Sequence, residues 1–242
     1  MEPRKTALPR YTVSQERANS ISHFIGYILV ILGAPFLIQK AAGSGSIVSL
    51  LSAVAFLICA GVLYLGSAIY HALPPSDEKR IWRVLDHNNV FILIMGTYTP
   101  YCLVGLQGSP AWCYSIYGIV LGLGILGIIL NSIDLTKFKV FCYIDYLLMG
   151  WTIIVSFYPL TMAVGFWNGT FLLLLGGLAY SLGAILYSIG AKKSQWLHFV
   201  FHLFCLLGTI LMYFSLLLYV FWERKSAIIV TRSGNDYEPE ER

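Results

Sequence analysis

Residues 47–71 read IVSLLSAVAFLICAGVLYLGSAIYH, twenty-five consecutive positions without aspartate, glutamate, lysine or arginine, closed by a histidine. A helix needs roughly 20 apolar residues to cross the hydrocarbon of a bilayer, so this stretch predicts a membrane span. The rest of the 242-residue chain agrees. Apolar residues make up 57% and charged residues only 12%, about half the charged share of a soluble domain. So small a globule cannot bury that much apolar surface within itself. Disordered, collagenous, coiled-coil and secreted disulfide-scaffold classes are excluded. The five cysteines stand in apolar runs with no C-x-x-C pair and read as small buried hydrophobes.

Working outward, seven stretches qualify as spans: about 20–38, 47–71, 84–106, 112–133, 140–160, 170–190 and 197–222. The divider between the fifth and sixth is the weakest, but merging them would need a helix of about 50 residues, twice what a bilayer accommodates. The apolar run Ile21–Ile38 exceeds a signal-peptide core and no A-x-A-like site follows, so the first span is expected to stay. The sequence therefore predicts an all-α, seven-transmembrane helix bundle over 20–222. A cytoplasmic segment, 1–19, precedes it, and a polar, acidic tail, 223–242, expected to be disordered, follows.

Lysine and arginine set the orientation. Arg4, Lys5, Arg10 and Arg17, the loop cations Lys79, Arg80 and Arg83, then Lys137, Lys139, Lys192 and Lys193 fall on one side; the loops of the other side offer Lys40 alone. A cytoplasmic N-terminus and an outside C-terminus follow, in a multi-pass protein of the cell (plasma or inner) membrane. That is opposite to a G-protein-coupled receptor. The basic residues form no stripe, so the net charge of +4 reports orientation and no nucleic-acid partner is expected.

In this topology all five histidines fall at one membrane level: His23 near the start of span one, His71 ending span two, His87 opening span three, His198 and His202 opening span seven. Asp86 joins them. Ionisable groups inside spans are costly and are functional by default. His198 and His202 stand at i and i+4, which stacks two imidazoles on one helix face, as a divalent metal requires. Ser67 and His71 repeat that spacing. Three histidines, His71, His198 and His202, with an open fourth position make a catalytic-type Zn2+ site, Asp86 beside it as base and Ser67 as hydrogen-bond donor. The plainer reading is a polar helix-packing cluster. His87, adjacent to Asp86, is expected to turn about 100° away and is read as an interfacial residue, not a ligand. Glu16, Asn19 and His23 share one face of span one and suit support of the ligands or a wall of the site. Asp145 is read as a salt-bridge partner of Lys137, Lys139 or Arg83. Gly118 and Gly122, with Gly176, Gly177 and Gly183, are expected to permit close helix packing.

The motifs ERANSISH (16–23), SAIYH (67–71), LDH (85–87), IMGTYTP (94–100), MGW (149–151) and HFVFHLF (198–204) resemble the hemolysin III family. That family is a branch of the progestin and adipoQ receptors and is related to alkaline ceramidases. The resemblance covers roughly residues 14–222. It implies the same seven-helix, N-terminus-inside topology, zinc held by His71, His198 and His202, and Asp86 and Ser67 beside the metal. Zinc-dependent hydrolysis of a lipid amide belongs to relatives within that superfamily.

Three functions compete. A membrane-embedded zinc hydrolase would cleave a lipid amide or ester, the lipid entering between helices. A receptor-like sensor or regulator of membrane lipid state would use zinc as a staple. A cytolytic activity is implied by the family name, but the spans carry no continuous polar stripe. Ser67 and Asp86 favour the hydrolase, since a structural zinc gains little from two further polar groups. A membrane lipid is the expected partner in the first two.

Overall fold

The computed structural model describes residues 8–221; the side chains of 190–193 and the C-terminal tail predicted from the sequence lie outside the described residues. Every element among the described residues is helical: α1 Val13–Gly43, α2 Ile47–Ala72, α3 Asp77–Pro100, α4 Pro110–Ile133, α5 Lys139–Trp151, α6 Phe157–Val164, α7 Phe171–Lys193 and α8 Trp196–Ser215. Five helical stretches are long and apolar enough to cross a membrane, and the longest, Lys139–Ile189, runs 51 residues. The chain is a helical membrane protein. α3 falls short on hydropathy because its first turns carry Asp77, Glu78, Lys79, Arg80, Arg83 and Asp86.

Helix starts follow local chemistry. α1 begins at Val13, inside the segment read as 1–19, because Thr12 and Gln15 form a capping box that satisfies two orphan donors. α3 starts at Asp77, two turns earlier than its apolar run. Ser76 accepts from the Lys79 backbone N–H, and Asp77 and Glu78 occupy the first turn, where the helix dipole favours negative charge. After Pro100 the helix widens into a π turn over Tyr101–Gly105.

The 51-residue stretch is not one straight helix. Beyond Trp151 it tightens to a 3₁₀ turn over Thr152–Ser156. Tyr98 takes up the backbone groups this disturbs: its hydroxyl donates to the Met149 carbonyl at 2.6 Å and accepts from the Ile153 N–H at 2.9 Å. The second break is sharper. Gly165 stands at φ +77° and Asn168 is non-helical; the first of these is a conformation glycine adopts without steric cost. The Ser215 hydroxyl donates to the Gly169 carbonyl at 2.8 Å. In a membrane interior such freed groups must find protein partners.

The bundle is apolar outside, and its interior is an apolar core with polar groups set into it. Ile21, Leu32, Leu51, Ile58 and Ile133 are exposed. One face of α2 is buried from end to end through Ser49, Ser52, Phe56, Ala60, Leu63, Ser67 and His71, the i, i+3/i+4 spacing of a core-facing stripe. α2 packs between α1 and α3. Asn131 donates to Asn88, and Asn88 to Ser132, at 2.7 and 2.9 Å, clasping α3 to α4; such bonds contribute about 1 kcal/mol in membranes.

The glycines divide. A Cβ on Gly176 would stand 3.2 Å from the Gly208 carbonyl and one on Gly183 2.9 Å from Phe204, so both permit the close packing of α7 on α8 expected of them. Gly177 makes only ordinary contact with Trp151. Gly118 and Gly122 do not pack: nothing described lies within 4 Å of a Cβ there, because that face of α4 points away from the bundle. At Gly26 a Cβ would meet the ring of Tyr64 at 2.6 Å, and Tyr64 is fully buried and bonded to Thr209 at 2.6 Å. Gly26→Leu is expected to destabilise the bundle by about 1–3 kcal/mol, the range for overpacking, read as a fall in thermal midpoint in detergent. Gly118→Leu should leave the midpoint unchanged.

Candidate metal centre

α2 ends at the level where α8 begins, and α1 crosses beside both. This brings His71 of α2 against His198 and His202 of α8. The three are buried, and one ligand atom from each lies within 4.8 Å of the others. His198 Nε2 stands 3.2 Å from His71 Nε2 and 3.1 Å from His202 Nε2. Ligands at ~2.0–2.1 Å around a tetrahedral zinc stand ~3.3 Å apart. Two of the three separations thus match neighbouring corners of such a site, and the third stays within 4.8 Å.

The outer nitrogens carry the same message. His71 Nδ1 donates to Glu16 Oε2 at 2.6 Å. His202 Nδ1 donates to the Asn19 carbonyl at 3.2 Å, with Ser22 Oγ at the same distance. A neutral imidazole has one N–H, so both rings turn a lone pair at Nε2 toward His198. The Nε2 of His198 can donate to only one of them, and a cation would satisfy all three. A metal-binding histidine whose other nitrogen donates to a carboxylate or carbonyl is the usual arrangement. His198 Nδ1 has no partner among the described residues; its ring lies instead against Tyr11 and Tyr187 at 5.3 and 5.1 Å between centroids.

The stripe on α1 serves the site in three different ways. Glu16 acts through its carboxylate and Asn19 through its backbone carbonyl, its amide being buried without a partner. His23 stacks on His202 with ring centroids 3.6 Å apart. Three contributors escaped the sequence reading. Ser22 is one. Lys79, counted there as a loop cation, is buried and bonds Glu16 Oε1 at 2.7 Å. Tyr11 lies ahead of α1 yet packs over His198 and His71; burial, with the Tyr187 and Tyr70 phenols nearby, pushes its own phenol well above the ordinary value. A polar residue one turn from a helix cap and opposite Glu16 in charge was the available signal for Lys79.

Ser67, Asp86, His198 and His202 line a cavity of about 380 Å³ that descends past Leu93, Tyr98 and Tyr101 into the bundle. The Ser67 hydroxyl is buried and has no hydrogen-bond partner among the described residues. His87 is not among the three clustered histidines. It lines the same cavity, its Nδ1 donating to the Arg83 carbonyl at 2.9 Å, 3.8 Å from Asp86 Oδ2. Ile144 and Leu147 of α5 and Ile185 and Ile189 of α7 line the cavity yet are 39% or more exposed, so it opens sideways between these two helices. The salt bridge expected of Asp145 is not formed: the residue is buried and both carboxylate oxygens are without a partner among the described residues. It faces Gly127 of α4.

Comparison with known proteins agrees on ancestry. Residues 11–213 match the family model described as haemolysin-III related. The chain is 35% identical over 209 residues to a hemolysin-3 homolog of Bacillus subtilis (strain 168), covering 86% of this chain and 96% of that one. It is 35% identical over 208 residues to hemolysin-3 of Bacillus cereus, covering 86% and 93%.

Proposed function

Because the chain belongs to the haemolysin-III related family, and three buried imidazoles converge, two of them lining an apolar cavity, we propose that it is a zinc-dependent hydrolase of a membrane lipid amide or ester. In this reading the chain crosses the membrane seven times. α3 with its π turn counts as a span despite its polar start, and the 51-residue stretch counts as two, divided at Gly165–Thr170. The N-terminus lies in the cytoplasm of a plasma or inner membrane and the C-terminus outside.

His71, His198 and His202 would hold the metal. Bound there, zinc supplies Lewis-acid polarisation of a carbonyl and lowers the pKa of water toward ~7. The chain supplies the rest. Glu16 and the Asn19 carbonyl fix the ring orientations of His71 and His202. Asp86 takes the proton from the attacking water and returns it to the leaving amine or alcohol. The Ser67 hydroxyl donates to the carbonyl oxygen as negative charge grows on it. The apolar walls hold the acyl chain, and the gap between α5 and α7 admits it from the bilayer.

The observation that carries this reading is the unpartnered Ser67 hydroxyl in a residue that lines the same cavity as His198 and His202. A buried hydroxyl without a partner costs about 1–3 kcal/mol, a cost that substrate binding offsets and that a purely structural staple gives no reason to keep. The test is zinc-loaded protein in mixed micelles against a panel of long-chain amides and esters. Release of free fatty acid, abolished by chelation and restored by zinc, is expected. No turnover with zinc bound would leave a structural metal and a sensor role. Haemolysis persisting in a His198→Ala, His202→Ala variant would favour lysis by another route.

A further inference from the structure

We propose that Lys79 is a positioning residue of the metal centre, acting through Glu16 to hold His71 in its ligating orientation. This rests on the metal reading given above. The Lys79 side chain is 3% exposed, and a buried ammonium is tolerated only when its charge and its donors are answered. Its Nζ donates to Glu16 Oε1 and to the Leu73 carbonyl, both at 2.7 Å, and lies 5.2 Å from the centre of the Tyr70 ring. Each contact belongs to a different part of the site. Leu73 caps the C-terminus of α2, where carbonyls lack intrahelical partners and the helix dipole favours a cation. Tyr70 precedes His71. Glu16 belongs to α1.

One ammonium therefore ties the end of α2, the start of α3 and the carboxylate of α1 into one unit. The carboxylate is the pivot: one oxygen faces Lys79 and the other accepts from His71 Nδ1 at 2.6 Å. Without Lys79, Glu16, whose side chain is 19% exposed, can rotate toward water. His71 then loses the fixed acceptor that keeps its Nε2 lone pair aimed at His198 and His202. Partners of this kind alter metal affinity without touching the metal.

The experiment measures zinc affinity of full-length protein in detergent by competition with a chromophoric chelator. Lys79→Met is expected to weaken binding by about 10–100-fold, and Lys79→Arg, which keeps the charge and the donors, to restore most of it. A clasp that only stabilised the fold would act independently of Glu16, so the decisive comparison is a double-mutant cycle. Glu16→Gln should weaken zinc binding by itself, and Lys79→Met added to it should weaken binding no further. Unchanged affinity in Lys79→Met, or a second loss of similar size in the Glu16→Gln background, overturns the proposal. Should Lys79→Met not fold, Lys79→Gln keeps a donor for Leu73, and unchanged zinc affinity there overturns it equally. A wild-type protein that takes up no zinc fails at the metal reading itself, and the role of Lys79 falls with it.

Discussion

Wild-type protein purified from metal-replete medium without chelators is expected to hold about one zinc per chain, and the His198→Ala, His202→Ala variant none. The effect is large because the proposed site rests on three imidazoles that could hold a metal ion. Removing two leaves a single imidazole, and one nitrogen does not compete with bulk water and buffer for a zinc ion. Plasma mass spectrometry on protein of known concentration reads the result directly. The variant should still fold, since two alanines on α8 remove buried polar groups and, apart from the contact of the His198 ring with Tyr187, leave the packing of that helix on α7 in place. Thermal midpoints add a second reading. A ligand at a thousand times its dissociation constant stabilises the folded state by about 4 kcal/mol, so zinc should raise the wild-type midpoint and leave that of the variant unmoved. Wild-type protein free of metal, with an unchanged midpoint on adding zinc, would reduce the three histidines to a polar packing cluster.

The pair at 198 and 202 was legible because the helical repeat alone places i and i+4 on one face. His71 was legible for a different reason: counting spans put the end of α2 and the start of α8 at one depth, and bilayer geometry turned a separation of 127 positions into proximity. The stripe of Glu16, Asn19 and His23 was legible as a face but not as three roles. Which of them offers a side chain, which a backbone carbonyl and which a ring depends on how α1 crosses α2 and α8, and no local pattern encodes that. Lys79 was hidden by its neighbours. In a run of Lys79, Arg80 and Arg83 each residue reads as a cation facing the cytoplasm, and only the Ser76 cap, which begins α3 early, turns one of them inward. Asp145 illustrates the same limit. Charge and depth suggested a partner in the basic loop, whereas its helix face directs it toward Gly127. The break between α5 and α7 was legible as a necessity, because a bilayer cannot accommodate 51 residues in one span. Its place between 160 and 170 was legible from Asn168 and Gly169, and the helix breaks over Gly165–Thr170; the onset at Gly165 was not, since the residues before Asn168 remain apolar.

Asp86 and Ser67 provide the second large effect, and they separate chemistry from architecture because neither belongs to the three converging imidazoles. Asp86→Asn keeps the size and polarity of the side chain and removes its capacity to take a proton, so lipid hydrolysis should fall by about 10²–10⁴-fold, the range for a general base. Ser67→Ala removes one donor from the developing oxyanion and should cost about 10²–10³-fold in kcat. Zinc content should stay at the wild-type value in both. Stability should hold as well: Ser67 has no hydrogen-bond partner to lose among the described residues, and removing an unsatisfied hydroxyl is neutral or stabilising. The two substitutions should not add fully, since a proton acceptor and an oxyanion donor serve the same transition state. If the metal served only as a staple, the signs would differ. Asp86→Asn would then change nothing measurable beyond stability, and chelation would loosen the bundle in wild type and variant alike. Measuring fatty-acid release, zinc content and thermal midpoint on the same samples therefore decides between a site that reacts and one that braces. Activity lost with zinc retained and the midpoint held assigns Asp86 and Ser67 to catalysis.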